Sequence, residues 1–468
     1  MSTGGLEAAQ HKMRTAGVAE NAIAVFGHYY GLLEAGATGQ LREAELSPVT
    51  DLPRFTDLDL DDRSPQAREA LAATAVIKLN GGLGTSMGMT GPKCLLPVRD
   101  GRTFLDLIVA QVLAARERWD VRLPLVLMNS FATREATMAA LASAPAVRVP
   151  GLSPDFLQNA EPKLRVDDLT PVEWPADPAL EWCPPGHGDL YTALAGSGLL
   201  QDLLDAGFRY ASVSNADNLG AAPSARLAGW FAATGAPFAM EVCVRTAADR
   251  KGGHLAVRNS DGRLVLREKA QTAAEDADAF GDIERHRFFN SNNLWLDLRA
   301  LADTLAERNG VLGLPLIRNH KTVDPTDPSS TPVIQIETAM GAAIEVFEGA
   351  RAIVVPRDRF LPVKTTDDLL VLRSDVYRTE ADGTIARVDP TPPLVTLAPA
   401  HYKLIADFDR HFPAGAPGLR DADALTVQGD WTFGPDVVVR GRVVLPATDG
   451  PRTVPAGTLL DGSGRLGR

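Results

Sequence analysis

The sequence predicts an α/β protein with a largely parallel sheet and a small all-β tail. Three observations carry this expectation. Short apolar runs alternate with stretches of helical periodicity. A glycine-rich loop follows directly on the first of those runs. After the proline-rich VDPTPPLVTLAPA (from Val388), the chain loses its helical signal and becomes β-branched and alternating.

In chain order, Val18, Ala22, Val25, Phe26, Tyr29, Leu32 and Leu33 recur at helical spacing, which predicts a helical segment within residues 1–70. LSPVTDLPRFTDLDLDD (from Leu46) breaks up with prolines and acids and reads as a connection. A main domain over 71–395 begins with TAVIKL, a buried-strand pattern. The glycine loop and the helix pattern TFLDLIVAQVLAARER follow, with Leu105, Ile108, Val112 and Ala115 on one face. LPLVLMNS, FRYASVSN, PFAMEVCVR and ARAIVVP supply further strands. In such a sheet, ligands sit at the carboxyl ends of the strands, near the switch point. The tail over 396–468 contains ALTVQGDWTFGPDVVVRGRVVL, whose spaced glycines suggest a few coils of a β-solenoid.

Composition narrows the function classes. Hydrophobic residues make up 45% and charged residues 23%, ordinary values for a globular chain. The net charge of -12 argues against a nucleic-acid partner, and any anionic ligand needs a locally positive site. No secretory h-region opens the chain and no 18-residue apolar run occurs, so neither export nor a membrane partner is expected. Cys94, Cys183 and Cys243 are far apart, which suits a reducing cytoplasm and neither a zinc site nor a disulfide framework.

The chemistry-bearing segments begin with KLNGGLGTSMGMTGPK, Lys78 to Lys93, with five glycines and no acid. Glycine permits close backbone approach, successive N–H groups form an anion nest, and Lys93 adds a charge for phosphate. Read as a strand–loop–helix unit, the loop lacks the Walker spacing. Its Gly82, Gly84 and Gly88 give G-x-G-x-x-x-G, not the dinucleotide fingerprint. In PPGHGDLYTAL, His187 lies between two glycines, open to bond a phosphate or hydroxyl; an ordinary turn with Asp189 as helix cap fits equally. In SVSNADNLGA, Asp217 follows a strand end, a place for a magnesium ligand; an Asx turn through Asn215, Asp217 or Asn218 is the competing reading. Glu268, Asn290, Asn292 and Asn293 stand beside apolar runs and suit either sugar hydroxyls or capping. Lys364 follows an apolar stretch, as a phosphate contact or as a solvated lysine at a sheet edge, with Thr365 to Asp368 resembling a helix start.

Together these segments resemble the eukaryotic-type UTP–glucose-1-phosphate uridylyltransferases, also called UDP-glucose pyrophosphorylases. The likeness runs from about Lys78 to the C-terminus. FLQNAEPK, MEVCVRTAADRKGGHL, EKAQ, FNSNNLWL, VIQIETAMGAAIEVF and VPRDRFLPVKTTDDLL join the loops above in carrying it. The resemblance implies a Rossmann-like nucleotidyltransferase core, with a mixed, mostly parallel sheet and a C-terminal left-handed β-helix. It implies that UTP and glucose 1-phosphate are joined with Mg2+ and that pyrophosphate is released. It places Leu79, Asn80, Gly81 and Gly82 beside uracil and ribose, and Gln158 on the uracil edge with help from the Gly188 backbone. Lys93 and Lys364 meet the phosphates and His187 meets the sugar phosphate. Asn215 and Asp217 lie at the substrate, with Asp217 binding the metal, and Glu268, Asn290 and Asn292 hold the sugar. Two positions depart from the family pattern: Cys94 replaces a usual serine, and Lys269 replaces an often apolar residue. A pyrophosphorylase for another hexose or an N-acetylhexosamine 1-phosphate is the alternative. The end, LLDGSGRLGR, lacks the alternation of a paired edge strand, so a monomer or homodimer is expected.

Overall fold

The computed structural model describes residues 3–388, 391–462 and 466–467. Ten strands build one large sheet: β1 (Leu46–Pro48), β2 (Thr74–Asn80), β3 (Leu125–Asn129), β4 (Asp155–Leu157), β5 (Tyr210–Asn215), β6 (Phe238–Val244), β7 (His254–Arg258), β8 (Leu264–Arg267), β9 (Phe288–Asp297) and β10 (Arg351–Val354). Every apolar run predicted as a strand lies among them. β2 is central because its TAVIKLN run is apolar enough to be covered on both faces. It pairs in parallel with β5 on one side and β3 on the other, and β4 continues the parallel half.

The expectation of a mostly parallel sheet holds for that half; beyond it, among the described residues, only β6 and β10 pair in parallel. β9 runs antiparallel to both β5 and β6, and β7 pairs antiparallel with β1, β8 and β9. Between β6 and β9 the chain makes the β7–β8 hairpin and only a short helix, Ala277–Gly281, so it returns reversed. β9 also carries a bulge: Glu241 faces Asn293 but Val242 faces Asn290, leaving Ser291 and Asn292 unmatched.

Helices α1 (Thr3–Thr15) and α2 (Glu20–Glu34) pack onto a second, three-stranded sheet through Phe26, Tyr30, Leu164, Ile334 and Ile336. Val18 precedes α2, whose buried stripe also takes in Ile23 and Tyr30. Helix α3 (Phe104–Trp119) has the predicted face buried, with Leu105, Ile108, Val112 and Ala115 in the core. Thr103 and Asp106 form its capping box.

In the tail, Leu394–Leu397, Ala422–Val427 and Gly441–Leu445 form one parallel ladder. Trp431–Phe433 with Arg452–Val454, and Val438–Val439 with Leu459–Leu460, form two more. The backbone of Leu466–Gly467 folds back antiparallel on Leu459–Leu460, so the chain end does pair, contrary to expectation, and covers its own edge. Arg465 and Arg468, on which part of that expectation rested, lie outside the described residues. One hydrophobic core runs from Ala67 to Leu460, joining tail and main sheet. Among the described residues, no helix is long and apolar enough to cross a membrane.

Candidate functional site

The parallel register sets Leu79 beside Asn215 at the carboxyl ends of β2 and β5. There a cleft of about 470 Å³ opens, lined by Leu79 to Ser86, Lys93, Gln158, Gly186, His187, Asn215 and Asp217 among others. Residues from four separate stretches of the chain therefore meet at the edge where an α/β sheet takes its ligands.

The glycine loop is not followed at once by a helix. Two single 3-10 turns, Thr85–Met87 and Lys93–Leu95, and a short hairpin intervene before α3. Gly84 (φ 64°) and Gly88 (φ 73°) flank the first turn in the left-handed region, which any side chain would strain. The N–H groups of Met87, Gly88, Met89 and Lys93 are spent on carbonyls of the loop. Anion-binding capacity therefore rests with the earlier residues that line the cleft. Asn80 turns its amide away, donating to Asn129 Oδ1 at 2.8 Å and Thr137 Oγ1 at 3.0 Å, so it braces β2 from beneath. Gly81 lies under Gln158; a Cβ there would stand 2.5 Å from Gln158 Oε1.

Lys93 Nζ and Asp217 Oδ2 form an ion pair at 2.5 Å across the cleft, both partly shielded. The Asx role falls to Asn218, whose Oδ1 accepts from the N–H groups of Gly220 and Leu361, which leaves Asp217 for the pair. Behind it, buried Lys78 donates to Ser214 Oγ at 2.8 Å and to the Ala221 carbonyl at 2.9 Å, closing the base of the NADNLGA loop. Burial, with Arg359 nearby, pushes its ammonium down to about 7.

His187 accepts the Met340 backbone N–H on Nδ1 at 2.9 Å. A lone pair so engaged keeps Nδ1 unprotonated, and the ring's proton resides on Nε2. Desolvation also pushes the ring down, to about 4. The residue keeps exposed surface at the cleft, and the Met340 hydrogen bond fixes its tautomer. The imidazole is therefore a neutral Nε2–H donor. Asp189 caps nothing with its side chain; it binds Asn159 instead. Gly188 is buried and gives its N–H to the Thr338 carbonyl, so that N–H is not open to a base. Gly186, at φ 79°, lines the cleft in its place, packed so close to the Thr338 backbone that a Cβ would meet the carbonyl at 2.5 Å.

The other predicted residues gather on a second flank, outside the cleft lining. Asn290 and Asn292 clamp each other across the β9 bulge: Asn290 Nδ2 donates to Asn292 Oδ1, and the Asn292 N–H donates to Asn290 Oδ1, both at 2.8 Å. Asn292 itself is left-handed at φ 57°, a conformation asparagine tolerates. Asn290 also lies against Gly341, next to the Met340 that holds His187. Glu268 is half-buried over Gly253; burial pushes its carboxyl up, and the Lys364 charge opposes. Lys364 is exposed. It follows an irregular segment touching Asn218 through a Pro362 bridge, not a strand, and precedes α4 (Thr366–Arg373), which Thr365 and Asp368 start with a capping box. Asn293 is structural, donating to Glu241 and to the Arg359 carbonyl. Cys94 is buried beside Thr137, its thiol pushed up to about 11 by burial, so it is no nucleophile.

Sequence reasoning missed the pair that ties these flanks together. Arg359 meets buried Glu241 with two nitrogens, at 2.6 and 2.9 Å, and donates to the Ala222 carbonyl at 3.0 Å. The Arg359 carbonyl accepts from Asn218 and Asn293. Burial raises the Glu241 carboxyl and Arg359 more than offsets this, leaving it below its usual value. The one available signal was the placing of Arg359 inside VPRDRFLPVK, five residues after β10 ends at Val354.

The chain is similar to known proteins over nearly its whole length. The family model of UTP–glucose-1-phosphate uridylyltransferase matches residues 25–440. A probable UTP–glucose-1-phosphate uridylyltransferase of Schizosaccharomyces pombe is 40% identical over 400 residues, 84% of this chain and 77% of that protein. The barley enzyme, from Hordeum vulgare, is 37% identical over 95% of this chain and 93% of its own. The crystal structure of a Trypanosoma brucei UDP-glucose phosphorylase superposes with a TM-score of 0.90 at 44% identity, covering 98% of this chain and 99% of that one. A mutant Leishmania major UDP-glucose pyrophosphorylase in complex with UDP-glucose gives 0.92 at 42%, covering 98% and 99%. With its glycine loop, its Lys93–Asp217 pair and its His187 turn at one sheet edge, this chain belongs to the UTP–glucose-1-phosphate uridylyltransferase family.

Proposed function

We propose that the protein joins UTP to glucose 1-phosphate, forming UDP-glucose and pyrophosphate. The observation that carries the reading is the Lys93–Asp217 pair beside a neutral His187 in a cleft floored by glycines. A phosphate oxygen of the sugar attacks the α-phosphorus of UTP in line. The α–β bridging bond breaks, and pyrophosphate leaves with its electron pair. Both reactants are anions, so charge compensation and alignment dominate the barrier. Lys93 reaches the triphosphate by leaving Asp217, and Lys364 meets the phosphates from the second flank. His187 donates Nε2–H to the sugar phosphate. Gln158 pairs with uracil, and Glu268, Asn290 and Asn292 take the sugar hydroxyls.

Asp217 fits a Mg2+ ligand, being a hard oxygen donor at the phosphate end of the cleft. One carboxylate is enough for an ion of this kind, which is held in large part by substrate phosphates and water. Bound there, Mg2+ would neutralise developing phosphate charge. The parallel ladders of the tail support a left-handed β-helix over 396–468, after a catalytic domain over 71–395 and a helical segment over 1–70. The self-covered edge at Leu459–Leu460 supports a monomer or homodimer. Three free, buried cysteines support a cytoplasmic setting.

Pyrophosphate release across a panel of nucleoside triphosphates and sugar 1-phosphates tests the activity. UTP with glucose 1-phosphate should exceed every other pair. A higher kcat/KM with another hexose or an N-acetylhexosamine 1-phosphate would refute the sugar assignment.

A further inference from the structure

Asp189 is 5% exposed, and no cation among the described residues pairs with it. A buried carboxylate with no cation is costly, the more so near buried Glu161, whose carboxyl is pushed up by burial and by the Asp189 charge. The two oxygens of Asp189 instead receive two neutral donors from one residue: Asn159 N–H at 2.6 Å and Asn159 Nδ2 at 2.8 Å. Asn159 follows Gln158, and Asp189 closes the 3-10 turn that His187 opens. The two stretches are otherwise anchored to different parts of the fold. The Gln158 N–H is bound to the Asn129 carbonyl at the end of β3, and the His187 turn is bound to Thr338 and Met340.

We propose that Asp189 is a positioning residue whose carboxylate, clamping Asn159, holds the uracil-reading Gln158 in fixed register with His187; this rests on the function proposed above. A backbone N–H and a side-chain amide presented side by side require two acceptors, which a carboxylate supplies. The cost of burying that charge, visible as a carboxyl pushed up to about 6 by burial, is not offset by any ion pair. The clamp is thus an expensive way to hold a turn and an effective way to hold two reading groups at one distance.

The test is a reciprocal swap. Asn159→Asp sets two carboxylates face to face and should break the clamp. In Asn159→Asp/Asp189→Asn, the new amide at 189 accepts the residue-159 N–H on its oxygen and donates to the new carboxylate at 159, so the clamp reforms. Steady-state kinetics with UTP and CTP read the result. Asn159→Asp should raise KM for UTP about tenfold and narrow the UTP-over-CTP preference by a similar factor. The double swap should return both to within about threefold of wild type. Asn159→Ala, which removes one donor without adding charge, should give an intermediate loss and serves if the single acid variant fails to fold. Unchanged KM and preference in Asn159→Asp, or in Asn159→Ala where the acid variant fails to fold, overturn the proposal. So does a folded double swap that stays impaired, or a loss of thermal stability with the preference intact. Wild-type protein that turns over no UTP would refute the proposed function instead, which keeps the two failures apart.

Discussion

Breaking the Arg359–Glu241 pair offers the sharpest check on how the cleft is held. Glu241 is 1% exposed and the Arg359 side chain 13%, so Arg359→Met strands a carboxylate with only Trp295 Nε1 and Asn293 Nδ2 as donors. Removing one partner of a buried pair costs about 3–5 kcal/mol. At about 2.1 cal/mol/K per residue, 468 residues unfold with about 1 kcal/mol/K, so the midpoint should fall by about 3–5 °C. The core cluster from Ala67 to Leu460, which joins the main sheet to the tail, argues for one main transition in scanning calorimetry. Adding Glu241→Gln removes the stranded charge while keeping an acceptor for Trp295, and should restore more than half of the lost stability. Turnover should not follow. The guanidinium anchors the backbone whose carbonyl holds Asn218 and Asn293, so kcat should stay about tenfold low in both variants. A single variant within 1 °C of wild type, or a double variant no more stable than the single, would refute the reasoning.

Two further outcomes are expected. Asp217→Asn keeps shape but removes the charge facing Lys93, and kcat should fall about a hundredfold at every magnesium concentration; near-wild-type turnover would remove Asp217 from the site. His187, pushed down to about 4, should remain a neutral Nε2–H tautomer from pH 8 to pH 5.5 in nitrogen-detected NMR. Its folded value lies below the unfolded one, so the stability it contributes is full above about pH 6.5 and is lost as the pH falls toward 4. A ring protonating near pH 6.5 would show that the Met340 bond does not hold in solution.

How much of this was legible in the sequence depends on the range over which each signal acts. β2, β3, β6 and β10 announce themselves because a strand covered on both faces must be largely apolar. Lys93, His187 and Asp217 stand in short glycine- or amide-rich stretches at strand ends or turns, and topology brings them to one edge. The Met340–His187 bond, the Asn159–Asp189 clamp and the Glu241–Arg359 pair join residues far apart in sequence, and two of them use a backbone N–H that every residue but proline carries. No periodicity marks such pairs. The reversed β9 escaped for a related reason, since strand direction is set by the connection and not by the strand's own residues. The glycine loop lies between these cases. Its G-x-G-x-x-x-G spacing differs from the dinucleotide fingerprint because Gly84 and Gly88 are the two left-handed ends of one 3-10 turn. A fingerprint loop feeds a helix whose N-terminus takes the phosphate. Here the turn closes on itself, and the loop ends on Lys93, which brings a positive side chain into the cleft.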